Sequence, residues 1–391
     1  MKNTKRILGL IFTKGISLKI WLESGLFERE KLIYEKHLQD GNFDNIYWYT
    51  YGEEDYSVYQ KLLSERRIDC RIKVISMPKI FRGYRGNLVY SLMLPVIQHK
   101  TIRRLSIVKT NQMQGAWTAE LIKKIYRIPY ILRTGYTHSL YLHNCYIEEK
   151  DKKRKKEWLR EYKRYRVVEK WLYHVCNYAM VSSQHDKQYI VDSYQILENK
   201  IRVVTNYIDC TLFKPEGALQ KNNRIVFVGR LNAVKNLENT IKGVNDAGYG
   251  IDILGDGEER EYLENYIKNG GYDACLKGRV ANNQLPEILN QYSYYILASE
   301  HEGMPKTLLE AMACGLLCMG TEVPGIKEVI MDGKNGFLIP DTTSESIKKT
   351  VMHVIDFENK DAVKSNAVEY VRQKHSLDQI EGEEMNVMSW L

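Results

Sequence analysis

Short apolar runs of strand length alternate with segments of helical spacing along most of the chain. Alternation of this kind is typical of βαβ units, in which the strands are parallel. The pattern therefore predicts an α/β fold with such units in both halves. Strands are predicted at 6–12, 45–50, 71–76, 105–110, 129–133, 177–183 and 201–206, and then at 224–230, 250–257, 272–280, 292–299, 316–321 and 335–340.

The two series of strands are separated by a polar, turn-rich stretch at 206–223, which contains Pro215 and Gly217. Because such a composition is typical of linkers, we predict one domain over 1–206 and a second over 207–375. The longest apolar runs fall short of the roughly 20 residues that a membrane span needs, so no transmembrane helix is expected. The basic and apolar N-terminus is interpreted as a first buried strand and not as a signal peptide.

Charge differs strongly between the two halves of the 391-residue chain. Residues 1–200 carry 37 Lys and Arg against 21 Asp and Glu, a formal charge of +16, whereas the remainder carries −8. Part of the excess lies in 148–172, where apolar residues recur at helical spacing and predict a helix with a basic outer face. That face is either simply solvated or a contact for an anionic membrane or acceptor. The apolar positions, interpreted as packed core, are Trp158, Leu159, Tyr162, Tyr165, Val168, Trp171 and Leu172.

A candidate phosphate site follows the first strand of the second half. Gly229 and Arg230 stand at the end of that strand, and Lys235 follows before the next helical run. Ligands of α/β sheets bind at the carboxyl ends of the strands. Arg can hold phosphate oxygens with two hydrogen bonds, and Lys adds a point charge. These residues predict a clamp for a diphosphate.

The stretch 299–315, S-E-H-E-G-M-P-K-T-L-L-E-A-M-A-C-G, has a similar layout. Pro305 is predicted in the first turn of a helix and Gly315 just after its end. The free amides around 303–307 would then form an anion site. Glu310, in an apolar helix, is predicted to bind ribose hydroxyls, and Glu302, in the loop, to lie near the group attached beyond the phosphates.

The segment 302–315 resembles the E-x7-E motif of family 4 glycosyltransferases, which are retaining, group 1 enzymes of the GT-B fold. The stretches V-G-R-L-N-A-V-K, G-D-G and K-G-R-V resemble that family in the same order. The resemblance covers about 200–340 firmly and the first half more loosely. It implies two Rossmann-like parallel-sheet domains facing a cleft, with an acceptor-binding N-terminal domain and a nucleotide-sugar-binding C-terminal domain. It also implies that a helix at 376–391 packs back on the N-terminal domain.

The resemblance further implies roles for individual residues. Arg230 and Lys235 would bind the donor diphosphate beside Gly229, and Glu310 the ribose. Arg279 and Val280 would flank the base. The remaining contacts to the transferred sugar and phosphates would come from Glu302, Gly303, Met304 and Pro305, and from Gly15 in the N-terminal domain.

A histidine near the reacting centre is also implied, and His138 is the candidate, with Tyr136 and Asn111 as further acceptor-site candidates at strand ends. The catalytic set is then Glu302, Arg230, Lys235 and His138.

The implied reaction is transfer of a hexose from a UDP- or GDP-sugar to an acceptor hydroxyl, with retention at the anomeric carbon. No two aspartates are separated by one residue anywhere in the chain. The D-x-D metal site of the other large glycosyltransferase fold is therefore missing, and we expect neither a metal nor another cofactor. The acceptor would be a glycan or a lipid-linked glycan in cell-surface polysaccharide or glycolipid synthesis. The basic N-terminal half favours a cytoplasmic protein at the inner face of the membrane.

Two alternatives remain open on the sequence. One is a GT-B-fold nucleotide-sugar epimerase or hydrolase. The other is a membrane- or nucleic-acid-binding protein built on the basic segment 148–172. Nucleic acid is not the expected partner, because stacking platforms expose their aromatic residues and those of 148–172 recur at helical spacing.

Overall fold

A computed structural model describes residues 5–148, 151–217 and 221–391. The chain divides into two compact units. The first unit comprises Met1–Val204 with Glu381–Leu391, and the second comprises Thr205–Ile380. The change of unit lies two residues before the predicted boundary at 206, and the last residues of the chain belong to the first unit.

The first unit contains a parallel sheet in the order β3-β2-β1-β4-β5-β6-β7. Every residue of the first strand is buried, as expected for a parallel sheet covered on both faces by helices. The strands are β1 (Ile7–Ile11), β2 (Asn45–Tyr49), β3 (Ile72–Ile75), β4 (Ile107–Thr110), β5 (Tyr130–Arg133), β6 (Tyr178–Val181) and β7 (Ile201–Val203). The helices are α1 (Leu18–Glu23), α2 (Phe27–Glu30), α3 (Leu32–Gln39), α4 (Asp55–Ser64), α5 (Gly83–Ile97), α6 (His99–Ile102), α7 (Trp117–Tyr126), α8 (His138–Glu148), α9 (Lys152–Val175) and α10 (Gln184–Tyr194).

The second unit contains a parallel sheet in the order β10-β9-β8-β11-β12-β13. Its strands are β8 (Lys221–Val228), β9 (Gly250–Leu254), β10 (Ala274–Gly278), β11 (Tyr292–Leu297), β12 (Leu317–Thr321) and β13 (Phe337–Ile339). Its helices are α11 (Leu237–Asp246), α12 (Arg260–Gly270), α13 (Leu285–Leu289), α14 (Lys306–Ala313), α15 (Pro324–Lys327), α16 (Ser344–Asp356) and α17 (Lys360–His375). Every strand predicted from the sequence is confirmed within the described residues.

The stretch 206–223, predicted to link the two domains, packs in part on the second unit. Ile208 and Phe213 are buried in the hydrophobic core of the second unit, and Ile208 forms a bridge with Ser376. Residues 218–220 of this stretch lie outside the described residues. Two apolar residues among polar ones thus suffice to fix the backbone of 208–213 on the core.

The C-terminal helix α18 (Leu377–Met388) contributes two buried carboxylates to the first unit. Both Oε atoms of Glu384 lie 2.6 Å from Nζ of Lys109, on β4. His37, on α3, contacts Glu381 through Nδ1 at 2.8 Å and Glu384 through Nε2 at 3.2 Å. The helix is therefore held by a buried ionic network as well as by apolar packing.

Helix α9 has the predicted basic outer face, but one of its predicted core positions is wrong. Leu172 is buried, whereas Trp171 is 40% exposed. Helical spacing assigned both neighbours to the same stripe, although adjacent residues differ by about 100° around a helix. No helix in the described part of the chain is both long and apolar enough to cross a membrane.

Candidate functional site

Four loops meet at the carboxyl edge of the second sheet, where α/β folds bind ligands. They follow the neighbouring strands β10, β9, β8 and β11. Backbone hydrogen bonds join them: Leu231 N donates to Asp256 O at 3.1 Å, and Glu300 N donates to Val234 O at 2.9 Å. The loops therefore hold each other in place, and most of the residues predicted for donor binding lie on them.

The loop after β8 carries the predicted clamp. Gly229 lies against its neighbours so closely that a Cβ there would come within 2.8 Å of the Phe227 ring. Arg230 is exposed, and its guanidinium has no hydrogen-bond or ion-pair partner among the described residues. An unpartnered guanidinium at a ligand-binding edge is available for an anion.

Lys235 and Glu302 are brought together, which the sequence did not predict. The ammonium of Lys235 forms an ion pair with Oε1 of Glu302, and the two side chains are only 19% and 11% exposed. Oε1 of Glu302 also accepts a hydrogen bond from Ser299 Oγ at 2.7 Å. The partly buried pair places one positive and one negative group side by side where β8 and β11 end.

Helix α14 starts one residue later than predicted. Pro305 is its N-cap, with φ −75° and ψ 104°, and the helix runs from Lys306. A difference of one residue at a helix end is within the usual variation of helix boundaries. Gly315 has φ +77°, which confirms the predicted left-handed residue after the helix.

Glu310 is buried on α14, at 2% exposure. Its Oε1 accepts a hydrogen bond of 3.2 Å from Nδ2 of Asn282, in the loop after β10. A buried carboxylate must keep polar partners, because an unpaired one would be costly. Arg279 and Val280 precede Asn282 in the same loop; Arg279 is largely exposed, with Nε 3.9 Å from Asp256 Oδ2. Glu310 and the predicted base-flanking residues are thus linked through Asn282.

Sequence reasoning missed several residues that position the loops. Asn236, buried with φ +51°, donates to Ala298 O at 3.2 Å and to Thr342 O at 2.7 Å. Asn206 donates to Met304 O at 2.8 Å. Gly325 lies so close to the carbonyls of Glu302 and Gly303 that a Cβ would overlap them. Asn236 directly follows Lys235. Asparagine is one of the few residues besides glycine that adopts the left-handed region, so an asparagine just before a helical run was a signal in the sequence.

In the first unit, Gly15 follows β1 in a turn with φ +83°. It lines a cavity of about 380 Å³ formed within this unit. Gln114 Nε2 donates to the Tyr165 hydroxyl at 2.6 Å on its wall. Nζ of Lys14 lies 4.7 Å from the centre of the Tyr84 ring. The lining includes Lys14, Tyr84, Asn87, Gln114, Trp117 and Tyr165.

His138 is the first residue of α8 and packs in an aromatic cluster. Its ring centre lies 4.2 Å from that of Tyr165 and 5.8 Å from that of Tyr136. Burial lowers its pKa below the ordinary value, and its Nδ1 is buried without a partner among the described residues. His138 is not among the residues that line the cavity. It contacts the cavity wall through Tyr165, so a role in catalysis stays a prediction.

The arrangement offers specific chemistry in each unit. In the second unit, Arg230 and Lys235 can neutralise an anion beside the carboxylate of Glu302, while Glu310 can accept hydroxyl hydrogen bonds farther along. In the first unit, aromatic rings, amides and the charged side chains of Lys14, Glu161 and Arg164 line a cavity. Asn111 follows β4, and its backbone N–H donates to Ile11 O at 2.9 Å.

Among the described residues, no group of three or more His, Cys, Asp and Glu could hold a metal ion.

Comparison with proteins of known sequence identifies several relatives of this chain. N-acetyl-alpha-D-glucosaminyl L-malate synthase of Bacillus anthracis is 30% identical over 158 residues, which cover 37% of this chain and 42% of that protein. A probable sucrose-phosphate synthase of Thermosipho melanesiensis is 24% identical over 72% of this chain and 69% of its own. With three other relatives, all glycosyltransferases by name, the matches span only 46%, 53% and 33% of the relative's length.

Among solved structures, HepE of Anabaena in complex with UDP and glucose matches with a TM-score of 0.72. The match covers 99% of this chain and all of that chain, at 17% identity. The two parallel Rossmann-like sheets of this α/β chain thus match the GT-B architecture. The family model described as glycosyl transferases group 1 matches residues 211–372. Together with the named relatives, that match supports assignment of this segment to the glycosyl transferases group 1 family.

Proposed function

We propose that the protein transfers a sugar from a nucleotide diphosphate sugar to an acceptor hydroxyl. The observation that carries the proposal is the ion pair between Lys235 and Glu302 in the same group of loops as Arg230, which has no partner among the residues that the structure describes. A diphosphate is the leaving group in such a transfer, and it gains negative charge as the glycosidic bond lengthens. Cations held at that position stabilise the transition state more than the ground state, which is how a barrier is lowered.

Lys235 would exchange partners when the donor binds. A phosphate oxygen competes with Glu302 for the ammonium, and the carboxylate that is released can then accept hydrogen bonds from hydroxyls of the sugar. The backbone amides of Gly303 and Met304 follow Glu302 in the same loop and would meet the same sugar. In this proposal the donor breaks the Lys235–Glu302 ion pair when it binds, and each of the two side chains then contacts the donor.

Glu310 would bind the ribose, and its hydrogen bond from Asn282 supports this role by fixing one carboxylate oxygen. Arg279 and Val280, in the same loop as Asn282, would flank the base. HepE, with the same fold, forms a complex with UDP and glucose. We therefore propose a UDP-sugar as the first donor to test, with a GDP-sugar second.

The finer assignments follow from the family 4 resemblance. They are retention at the anomeric carbon, a hexose as the transferred sugar, and activity without a divalent ion. We propose an acceptor that is a glycan or a lipid-linked glycan, bound in the first unit, and Gly15 keeps its predicted role as a contact of the donor phosphates. His138 would act there through the aromatic wall of the cavity. The protein would work on the cytoplasmic side, at the membrane surface, in polysaccharide or glycolipid synthesis.

The test is a thermal-shift panel of UDP-, GDP-, ADP- and CMP-sugars, followed by mass spectrometry of products. A ligand that binds only the folded protein at 100 times its Kd stabilises it by about 2.7 kcal/mol. At about 2–4 °C per kcal/mol, the shift should be roughly 5–10 °C. If none of the four donors stabilises the protein, the proposal is contradicted. Conversion of the donor to its epimer or to free sugar, with acceptor present and untouched, would favour the epimerase or hydrolase alternative.

A further inference from the structure

Helix α5 exposes an apolar face, here called the α5 face. Its members, at 84, 88, 89, 92, 93 and 96, are related by steps of three and four residues and so lie on one half of the helix surface. The side chains of Tyr90, Ser91 and Leu94, on the other side, are buried. The α5 face consists of Tyr84 (75% exposed), Leu88 (42%), Val89 (45%), Leu92 (51%), Met93 (45%) and Val96 (61%).

Such a face is unusual for a helix that covers a sheet. An amphipathic surface helix turns polar and charged residues to solvent, but the only charged residue exposed on α5 is Arg85. Ile80, in the turn before α5, extends the apolar surface and is 85% exposed. A contiguous exposed apolar surface of this kind marks an interaction site.

The chain segment that contains the α5 face is strongly basic. From residue 70 to residue 119 the sequence contains no Asp or Glu and nine Lys and Arg. Arg82 reaches Glu53 at 3.4 Å; the other exposed cations at the two ends of α5 have no acidic partner in the described part of the chain. The exposed cations are Lys79, Arg82 and Arg85 before or within the first turn, and Lys100, Arg103 and Arg104 after the last.

We propose that the α5 face docks the protein on an anionic phospholipid bilayer. Apolar side chains on one side of a helix enter the boundary between headgroups and acyl chains, and Lys and Arg beside them attract anionic lipids. A protein partner with an apolar groove would match the side chains but would not require fifty residues without one acid. The charge pattern thus favours the membrane as the occupant.

Helix α9 is also basic, but only two of its exposed residues are apolar. Its exposed apolar residues are Val167 (70%) and Trp171 (40%), among exposed lysines and arginines. A face of this kind gives electrostatic attraction without insertion. Helix α9 therefore provides a matched comparison within the same unit.

Tyr84 belongs both to the α5 face and to the lining of the cavity that contains Gly15. Docking through the α5 face would bring the cavity to the lipid surface, where the headgroup of a lipid-linked acceptor lies. This extension rests on the proposed function. Docking itself does not, because it requires neither donor nor transfer.

The experiment measures binding of the full chain to phosphatidylglycerol vesicles by flotation, with phosphatidylcholine vesicles as the uncharged arm. The variant Leu92→Glu/Val96→Glu alters only exposed side chains, and Val167→Glu/Trp171→Glu is the matched control on α9. We expect at least ten-fold weaker binding to phosphatidylcholine, and at least a ten-fold loss for the α5 variant, since two apolar side chains no longer enter the bilayer. The α9 variant should lose no more than a few-fold, from its added negative charge.

Hydrogen exchange of the unaltered protein keeps the test independent of how the variants fold. Phosphatidylglycerol vesicles should slow exchange in 79–97 and leave 152–175 unchanged. The proposal is overturned if the unaltered protein does not bind the vesicles, or if slowing is confined to α9. If the protein does not bind vesicles but forms a dimer in solution, and if Leu92→Glu/Val96→Glu dissociates that dimer, the α5 face instead binds a second copy of the chain. Donor stabilisation is measured separately, so loss of docking leaves the proposed sugar transfer standing and removes only its placement at the membrane surface.

Discussion

Replacing Lys109 by Met should destabilise the first unit strongly. Lys109 and Glu384 are 4% and 5% exposed, and both Oε atoms lie 2.6 Å from Nζ. The methionine keeps the apolar stem but leaves the carboxylate with His37 as its remaining cationic partner. Breaking a buried ion pair by removing one member costs about 3–5 kcal/mol. For a unit of this size, that corresponds to a fall in Tm of roughly 6–20 °C.

The assay is urea and thermal unfolding followed by tryptophan fluorescence, with Lys73→Met on β3 as the control. Lys73 is exposed, so its replacement should change stability by less than about 0.5 kcal/mol. The double variant Lys109→Met/Glu384→Met should recover most of the loss, because replacing both members of a buried pair by apolar residues is often neutral. A single variant within 1 kcal/mol of the original protein, or a double variant no more stable than the single, would refute this reasoning.

The same network predicts the direction of the pH dependence. Burial opposes the charged form of Glu384, but Lys109 and His37 outweigh it and hold its pKa well below the ordinary value. A carboxyl whose folded pKa is lowered stabilises the protein above its unfolded pKa, near 4.5, and this contribution is lost as the pH falls further. Burial also lowers the pKa of His37, but Glu381 and Glu384 raise it overall. The histidine's contribution is complete below about pH 6.5 and is lost as the pH rises through its raised pKa.

Three further outcomes are expected. Glu310→Gln should weaken nucleotide binding by about ten-fold or more in calorimetry, since a charge-assisted hydrogen bond is lost. The control Glu369→Gln, on the exposed side of α17, should leave nucleotide binding unchanged. Equal affinities in the two variants would contradict the ribose assignment. Turnover should persist in EDTA, and its loss with recovery on added manganese would contradict metal independence. Gly315→Ala should lower stability by about 1–2 kcal/mol in urea unfolding, because φ is +77° and the new Cβ would lie 3.3 Å from Pro215; an unchanged midpoint would exclude strain there.

The sheets could be predicted from the sequence because buried parallel strands read as continuous apolar runs bounded by polar loops. The packing of 208–213 could not, because only two apolar residues, Ile208 and Phe213, decide whether this polar segment packs. The same limit applies to Trp171, where the burial of α9 depends on what lies beneath each turn and not on spacing alone.

Some features of the candidate site could likewise be predicted from the sequence and others could not. The positions of Arg230 and Glu310 follow from local pattern, a strand end and an apolar helix. The ion pair between Lys235 and Glu302 and the hydrogen bond from Asn282 to Glu310 join residues 67 and 28 positions apart. Such contacts depend on how neighbouring strands are ordered in the sheet, and a single sequence does not specify that order. The α5 face was missed because an exposed apolar helix and a buried one have the same composition.

The central claim, that the loop after β8 stabilises a departing diphosphate, is tested most directly by Arg230→Ala. Arg230 is exposed and has no partner among the described residues, so its removal should leave Tm unchanged. Loss of one charge-stabilising donor should lower kcat by about 10²-fold or more, which is about 2.7 kcal/mol. Arg372→Ala, which removes an exposed arginine from α17, should keep full turnover. Equal turnover in the two variants, with the preferred UDP- or GDP-sugar as donor, would contradict the account.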